Sequence, residues 1–277
     1  MLSVIRLLVQ RNALACWQKI EHYIILGSLS ANRTLNKNDT NSGKRLAYPQ
    51  GIFYTFQAMN QAEKRYSNAV FFERLHTVDT KDFTAAMEIY NNAFPQQERQ
   101  PAAIISERVS DGRNELIVGR LNKKIVFIAL LWPFESSPFI LLDYMATHPD
   151  YRRQKIAAGF LQQMKVLLNQ THKYLILEAE DPAFGPNREQ RQQRIHFYRA
   201  NGAHQFAGVQ FTLPALQEGP VTEMILMIFP AWHSETIEST IVRQLIVQIY
   251  KELYNRTEEE ALVNSAGYID KITIALT

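Results

Sequence analysis

The segment Leu141–Gly159 constrains the fold of this chain most, because an apolar strand in it passes directly into a helix. Residues 141–147 are mostly apolar, and a turn through Pro149 follows them. From Ile156 onward, apolar residues recur every three or four positions, which is the period of a helix that packs on one side. A strand that feeds a helix in this way predicts a mixed α/β domain.

The start of the predicted helix carries a cluster of positive charge. Arg152, Arg153 and Lys155 stand in the turn, with Gln154 among them. The first N–H groups of a helix have no partner inside the helix, and the helix dipole adds partial positive charge there. The segment therefore predicts a pyrophosphate site, although a structural, solvated turn would show the same local pattern.

Hydrophobic periodicity along the chain predicts the element order β-α-ββ-β-α-β-α-β-β. The predicted strands cover residues 70–75, 115–120, 124–131, 139–146, 174–179, 205–213 and 223–229. The predicted helices cover residues 83–94, 155–168 and 188–200, with Asp79 as the N-cap of the first. We therefore expect residues 66–230 to form one α/β domain around a mixed sheet.

The segments on either side of this domain differ from it in character. Residues 231–277 are expected to form a tail, with an amphipathic helix over 236–253 and a possible final strand over 268–276. Residues 1–65 are expected to be a largely disordered extension, or a loose helix and a polar linker. Three interpretations of the extension stay open: an appendage upstream of a natural start at Met59, a transit peptide, and a packed accessory helix.

The composition argues against several classes of protein. The 277 residues carry a formal net charge of +3, which is too small to predict nucleic-acid binding. No apolar run approaches the roughly 20 residues of a membrane helix, and no His, Cys or carboxylate group has the spacing of a metal site. Cys16 is the single cysteine, so no internal disulfide can form. We expect a cytoplasmic protein, with organellar targeting by the N-terminal segment as the alternative.

Residues 141–159 resemble motif A of the GNAT superfamily of acetyltransferases. In that motif an apolar strand leads into Val-x-Pro-x-Tyr-Arg-Gly-x-Gly-Ile-Gly and then into a helix. The residues in register with the motif are Thr147, Pro149, Tyr151, Arg152 and Ile156. The departures are Arg153, Lys155 and Ala157 at positions where the family favours glycine, and Ala158 at a frequent Ser or Thr.

Two further segments agree with this resemblance, which spans about residues 70–230. Residues 89–99 are similar to the end of the family's first helix and its substrate-side loop. Residues 195–202 are similar to motif B, a helix that carries a tyrosine before an Asn-Gly turn. The resemblance implies a GNAT-like fold with two splayed central strands, which would be Ile140–Thr147 and Tyr174–Ala179.

The resemblance also implies acetyl-CoA as co-substrate, bound between the splayed strands without a metal ion. Its contacts would come from Met145, Ala146, Thr147, Arg152, Arg153, Gln154, Lys155, Ile156, Ala157 and Ala158. Backbone groups of Met145 and Thr147 would pair with the pantetheine arm. Lys155 would add charge to the phosphate site if its side chain turned outward, and would block the site if it turned inward.

Three side chains are the catalytic candidates. Tyr198 stands at the family's tyrosine position, and a phenol can give a proton to the departing thiolate. Asp143 and Glu178 each lie in an apolar strand beside the expected cleft, where burial raises the pKa of a carboxyl and suits it to a general base. The alternatives are a core aromatic for Tyr198, and an arginine-paired or strand-edge carboxylate for the other two.

The activity implied is direct N-acetyl transfer from acetyl-CoA to a primary amine of a small molecule or peptide, and the acidic residues 178–181 favour a cationic acceptor. The missing glycines and the long tail helix motivate an alternative, a catalytically degenerate GNAT-like module that binds acyl-CoA or serves regulation. The tail helix is expected to pack on the domain or on a second copy of the chain, so a homodimer is allowed. Neither a nucleic acid nor a membrane is an expected partner.

Overall fold

The computed structural model describes residues 70–214, 222–266 and 271–277. The predictions for residues 1–65, for Met59 and for the first part of the final strand lie outside these ranges. The strands are β1 Phe71–Leu75, β2 Glu115–Leu121, β3 Lys124–Pro133, β4 Phe139–Thr147, β5 Tyr174–Glu180, β6 His204–Gln205, β7 Gln210–Leu213, β8 Thr222–Phe229, β9 Thr236–Glu238, β10 Ser265–Ala266 and β11 Thr273–Ala275. The helices are α1 Lys81–Ala93, α2 Ala102–Ser110, α3 Ile156–Thr171, α4 Arg188–Ala200, α5 Ser239–Gln248 and α6 Glu258–Val263.

One mixed sheet organises the described residues. Its strands follow the order β1-β2-β3-β4-β5-β8-β7-β10, and β6 pairs with β8 beside that path. Strands β4 and β5 run parallel, while the other pairs in the sheet are antiparallel. A separate pair joins β9 to β11. The predicted mixed α/β sheet is confirmed.

The two faces of the sheet are covered by different helices. Neighbouring strand residues point to opposite faces, so Phe127 and Ile128 mark the two sides of β3. The Phe127 ring packs against Phe160 of α3 with its centroid 5.0 Å away. Ile128 joins a core cluster with Tyr90 of α1 and Ile105 of α2. Helices α1 and α2 therefore share one face, and α3 lies on the other.

The C-terminal segment also packs on the face of the sheet that carries α1. Helix α5 continues into one π-helical turn over Ile249–Leu253. Ile249 and Leu253 lie in one buried cluster with Trp132 of β3, Leu141 of β4 and Ile176 of β5. The tail therefore packs on the domain itself, directly over the two central strands.

Local side-chain chemistry explains where the elements differ from the predicted ones. Helix α1 is capped by Thr80 and not by Asp79, because the Thr80 hydroxyl accepts from the Phe83 N–H at 3.1 Å. The predicted strand 205–213 is interrupted at Gly208, whose φ of +73° breaks the ladder. The tail helix begins at Ser239, because residues 236–238 pair with β11 instead. Helix α2 has no counterpart in the prediction.

Gly119 and Gly159 differ in the space available for a side chain, so alanine substitutions at the two positions test the packing. A Cβ added at Gly119 would lie 2.9 Å from Phe127 Cβ and 3.0 Å from a ring atom of Phe72, whereas a Cβ at Gly159 meets nothing within 4 Å. We expect Gly119→Ala to lower the free energy of unfolding by about 1–3 kcal/mol through overpacking. Gly159→Ala, inside α3, should raise it by up to about 1 kcal/mol. Urea unfolding of both variants measures this, and equal effects would contradict the packing described here.

Candidate functional site

Strands β4 and β5 separate part-way along their length. Their parallel pairing runs from Phe139 opposite Tyr174 to Leu142 opposite Leu177, and both strands continue beyond that point without further pairs. Strand β4 stays paired with β3 to its end, and β5 stays paired with β8. A V-shaped cleft therefore opens between residues 143–147 and 178–180 in the middle of the sheet, as expected for splayed central strands.

A β-bulge lies at the vertex of the cleft. Tyr144 pairs with Leu130 and Leu142 pairs with Leu131, so Asp143 is an extra residue without a partner on β3. A bulge bends its strand and increases the local twist, which directs β4 away from β5. Asp143 thus interrupts the hydrogen-bond ladder with β3 and marks the start of the cleft on the side of β5.

The backbone of β4 presents free groups to this cleft. The His148 N–H donates to the Val126 carbonyl at 2.9 Å, so this position of the chain points its hydrogen-bonding groups toward β3. The direction of the backbone N–H and C=O groups alternates from residue to residue along an antiparallel strand. The groups of Met145 and Thr147 therefore point toward β5. Pairing with β5 has ended there, so the backbone groups of Met145 and the N–H of Thr147 have no strand partner along the cleft wall, while the Thr147 carbonyl accepts from Arg152 Nε at 3.3 Å.

Helix α3 begins at the open end of the cleft, immediately after β4 and a short turn. Lys155 is its N-cap and has no side-chain capping bond. The N–H groups of Ile156, Ala157 and Ala158 donate to no backbone acceptor among the described residues. A helix start of this kind is a ready anion-binding site.

Two side chains at this helix start stand where the resembling family favours glycine. Arg153 has φ +63° and Lys155 has φ +60°, so both adopt the left-handed conformation that glycine takes without strain. Both side chains are exposed, as are those of Arg152 and Gln154. Lys155 therefore turns outward and does not block the helix start, and the site keeps a glycine-like backbone with added positive charge.

Asp143 and Glu178 lie opposite each other at the vertex. Each follows the last paired residue of its strand, and strand alternation places both on the face covered by α2 and the C-terminal segment. Burial raises the pKa of Asp143 to about 7, against an opposing effect of the Arg108 guanidinium. Burial also raises the pKa of Glu178 to about 8, and the nearby Asp143 carboxylate adds to that rise.

Protein surrounds the two carboxyls closely. Burial is therefore the largest cause of the rise in both pKa values. Oε1 of Glu178 is itself buried and has no hydrogen-bond partner among the described residues. No ion pair joins either carboxyl to a cation in the described ranges, so the arginine-paired alternative does not hold there.

Two other carboxylates of the acidic run 178–181 contact protein groups. Glu180 pairs with Arg191 at 2.9 Å and with Arg194 at 3.1 Å. The Asp181 carboxylate accepts from the Ala183 N–H at 2.8 Å and so shapes the loop. The charge of Glu180 is therefore balanced by arginines, and Glu178 is the carboxyl of this run that lies at the vertex.

Tyr198 lies on α4 and is buried with 8% of its surface exposed. Burial raises the pKa of its phenol, while the charge of Arg194 on the same helix opposes that rise. Its hydroxyl makes no hydrogen bond within the part of the chain that the structure describes. The phenol therefore stays protonated at neutral pH and is free to donate.

An aromatic wall closes the α1 side of the cleft. Tyr144 packs edge-on against Tyr90, with ring centroids 4.8 Å apart, and against Phe94 at 4.9 Å. The Tyr144 hydroxyl donates to the Glu98 carbonyl at 2.9 Å, which holds the loop after α1 against β4. Residues 89–99, which resemble a substrate-side loop, thus lie beside the vertex.

The C-terminal segment brings side chains to the vertex that the sequence did not indicate. The negative charges of Glu178 and Asp143 add to burial in raising the pKa of Tyr254 well above its usual value. Arg108 of α2 lowers the pKa of Asp143 and also donates to the Leu253 carbonyl at 3.2 Å. Both residues lie outside the quoted motifs, and no pattern around either of them pointed to the cleft.

Two other kinds of site are absent from the described ranges. No cluster of three or more His, Cys, Asp or Glu side chains is arranged to hold a metal ion there. No described helix combines the length and apolar character needed to cross a bilayer.

No protein-family profile and no curated protein matches this chain. Among solved structures, a protein of Bacteroides thetaiotaomicron assigned to the GNAT acetyltransferases matches with a TM-score of 0.56 and 19% identity, over 66% of this chain and 97% of its own. A protein of Desulfovibrio desulfuricans, also assigned to the GNAT family, matches with a TM-score of 0.44 and 17% identity, over 59% of this chain and 100% of its own. A protein of Salmonella typhimurium assigned as an acetyltransferase, solved with acetyl-CoA, matches with a TM-score of 0.44 and 15% identity, over 60% of this chain and 96% of its own.

The chain therefore has the fold of GNAT acetyltransferases, which the first of these matches carries. This confirms the resemblance to the GNAT superfamily at the level of the fold, and with it the expected mixed-sheet architecture.

The pair of carboxyls ties the stability of the fold to pH. Their pKa values of about 7 and about 8 lie above the ordinary 3.8 and 4.5, so the folded chain holds more protons than the unfolded chain between about pH 4 and pH 8. Their contribution to the free energy of unfolding is full below this window and is lost as pH rises through it. We expect an Asp143→Asn, Glu178→Gln variant to gain stability relative to wild type as pH rises to about 8. Urea unfolding across this range measures the difference, and a constant difference would exclude titration of the pair.

Proposed function

We propose that this chain is an acetyl-CoA-dependent N-acetyltransferase that acts on a primary amine of a small molecule or peptide. The observation that carries the proposal is the cleft between β4 and β5. Backbone groups of Met145 and the N–H of Thr147 line one wall of it without a strand partner, and the basic start of α3 stands at its open end. An extended pantetheine arm ending in a pyrophosphate matches this order of groups.

The cofactor would be held mostly by backbone. Met145 and Thr147 would pair with the pantetheine amides in the way a further strand would. The N–H groups of Ile156, Ala157 and Ala158 would bind pyrophosphate oxygens, supported by the charges of Arg152, Arg153 and Lys155. Ala146 and Gln154 complete the set of proposed contacts. No metal ion is required, because transfer from a thioester to an amine needs only proton movement.

The proton would leave the amine at the vertex. An alkyl ammonium has no free electron pair, so a base must take one proton before attack. Asp143 and Glu178 have pKa values of about 7 and about 8, so the pair is partly ionised at neutral pH. A base in that range accepts a proton and releases it again within one turnover. We assign the pair as the general base, acting directly or through one water molecule.

The acyl transfer itself would proceed in one direct attack. The amine nitrogen forms a bond to the thioester carbon, and the carbon–sulfur bond then breaks. The departing sulfur takes a proton from the Tyr198 hydroxyl, which is protonated at neutral pH. An acceptor with a cationic amine and no neighbouring negative charge suits this vertex, because Glu178 and Asp143 would repel an adjacent carboxylate.

Full-length protein should bind acetyl-CoA by calorimetry and release CoA with at least one member of a panel of primary amines. We expect Tyr198→Phe to lower kcat about a hundredfold to ten-thousandfold, in line with the usual size of general acid catalysis. The Kd for acetyl-CoA should stay within about twofold of wild type, because the hydroxyl acts only on the leaving sulfur. Absence of acetyl-CoA binding would overturn the proposal. Binding without CoA release would favour the degenerate module, and unchanged kcat in the variant would remove Tyr198 from the mechanism.

Lys155 offers a test of the phosphate site with a matched control. Lys155→Gly relieves a left-handed backbone worth about 1 kcal/mol and removes one charge from the helix start. Lys123, in the turn between β2 and β3, has φ +68° and is also exposed, so Lys123→Gly makes the same two changes elsewhere. Both variants should gain similar thermal stability. We expect only Lys155→Gly to weaken acetyl-CoA binding, by about fivefold at low salt and less at high salt. Equal affinities in the two variants would contradict the assigned phosphate site.

A further inference from the structure

One large apolar side chain stands exposed beside the open end of the cleft. Phe184 lies in residues 181–187, here called the β5–α4 loop, and 47% of its surface is exposed. The other large apolar side chains exposed among the described residues, Val263 and Ile272, belong to the C-terminal segment. A single exposed apolar residue is common on protein surfaces. Phe184 differs from an ordinary one in how firmly its loop is held and in where the loop lies.

The β5–α4 loop is held by Arg191 of α4, of which only 9% is exposed. Nη1 of Arg191 donates to the Phe184 carbonyl at 2.6 Å and to the Asp181 carbonyl at 3.2 Å. The Phe184 N–H donates to the same Asp181 carbonyl at 3.2 Å. Both backbone groups of Phe184 are therefore bonded inside the protein. A ring on such a preordered backbone can bind a ligand with little loss of conformational entropy.

The residues next to Phe184 reinforce this order. Gly185 has φ +67°, and a Cβ added there would lie 3.0 Å from Nη2 of Arg191, so the loop passes close over the guanidinium. Pro182 and Pro186 each have a φ fixed by their ring. Nε of Arg191 is buried without a hydrogen-bond partner in the described part of the chain. A buried, incompletely bonded guanidinium carries a free-energy cost that a plain surface connection does not require.

The loop lies at the same edge of the sheet as the start of α3. Strands β4 and β5 are parallel, so the turns that follow their carboxyl ends meet at one edge. The first turn of α4 is fixed there, because Arg191 pairs with Glu180, the last residue of β5, at 2.9 Å. Helix α4 also lies beside α3, since a Cβ added at Gly202, just after α4, would lie 3.7 Å from Nζ of Lys165 in α3. Axes of packed helices are about 8–10 Å apart, so the loop stands next to the start of α3.

The chemistry of acetyl-CoA indicates which of its parts reaches this loop. In the proposed site the pyrophosphate binds at the start of α3, the pantetheine arm runs from it into the cleft, and the adenine extends one ribose in the other direction. A nucleobase has two flat π faces and stacks on an aromatic side chain without any need for charge. The acceptor amine is expected at Asp143 and Glu178, which project from the face of the sheet opposite to α3 and α4.

We propose that Phe184 is a binding residue for acetyl-CoA, and that its ring stacks against the adenine. Arg191 is the positioning residue that holds this ring at the open end of the cleft. The inference rests on the proposed function, because it needs the pyrophosphate at the start of α3, but it does not require turnover. A change at Phe184 should act on ligands that carry the base and leave proton transfer at the vertex unchanged.

The experiment measures the binding of two ligands to the full chain by calorimetry. One is acetyl-CoA, and the other is S-acetyl-4′-phosphopantetheine, which has the same acyl arm and one phosphate but no adenosine. We expect Phe184→Ala to weaken acetyl-CoA binding by about fivefold to thirtyfold, as for the loss of one stacked base, and to change the affinity for the shorter ligand by less than about twofold. Phe184→Tyr should bind acetyl-CoA as wild type does, because its ring also stacks.

Lys155→Gly is the matched control, because it acts at the phosphate and should weaken both ligands. Equal affinities of wild type and Phe184→Ala for acetyl-CoA would overturn the inference. An equal loss for both ligands would do so as well, since it would show a disturbed loop instead of a lost stack. NMR reads the stack directly: the adenine H2 and H8 resonances should move upfield on binding to wild type through the ring current, and less on binding to Phe184→Leu.

The two proposals can fail separately. A wild-type chain that bound neither ligand would overturn the proposed function and this inference with it. Binding of acetyl-CoA that depended on Phe184, without release of CoA to any amine, would support the adenine contact and contradict only the acetyl transfer. Release of CoA with no effect of Phe184→Ala on either ligand would support the transfer and remove Phe184 from the site.

Discussion

The end of pairing between β4 and β5 is the constraint on which the rest of this structure depends. Inside a sheet, backbone N–H and C=O groups that lose their partners carry a free-energy cost unless water or a ligand replaces those partners. The end of pairing after Leu142 creates that situation for the backbone groups of Met145 and for the N–H of Thr147. Helix α3 adds unpaired N–H groups at the open end. The proposed cofactor site therefore depends first on the backbone, and side chains would adjust it.

Side-chain charge at the start of α3 coexists with a backbone shape that usually belongs to glycine. Two non-glycine residues in left-handed conformation cost about 1 kcal/mol each. Arg153 and Lys155 hold φ values of +63° and +60° nevertheless, and point their side chains outward. In the proposed site, a guanidinium and an ammonium near a bound pyrophosphate would recover a comparable free energy in a screened, exposed setting. The turn thus keeps a backbone shape that suits glycine, with the strain of two non-glycine residues set against the charge that their side chains add.

How much of this could be predicted from the sequence depends on the range of the interactions involved. The strand, turn and helix of Leu141–Gly159 follow from neighbouring residues, and so do α4 and the β2–β3 hairpin. The placing of Asp143 beside Glu178 needed the family resemblance, because parallel pairing leaves no local signal. Helix α2, nine residues without a side-chain cap, was missed. Arg108 and Tyr254 could not be assigned, since their positions depend on packing between segments distant in sequence.

The hydrogen bond from Arg108 to the Leu253 carbonyl joins residues 145 positions apart. Contacts of such separation form late, because a long stretch of chain must first be ordered. During synthesis, the sheet with its cleft can fold while the last residues are still within the ribosome. The segment 248–254, which packs over the two central strands, can dock only after residue 254 has emerged. The vertex would therefore stay open to water in the nascent chain, and its acid–base behaviour would be set by a late step of folding.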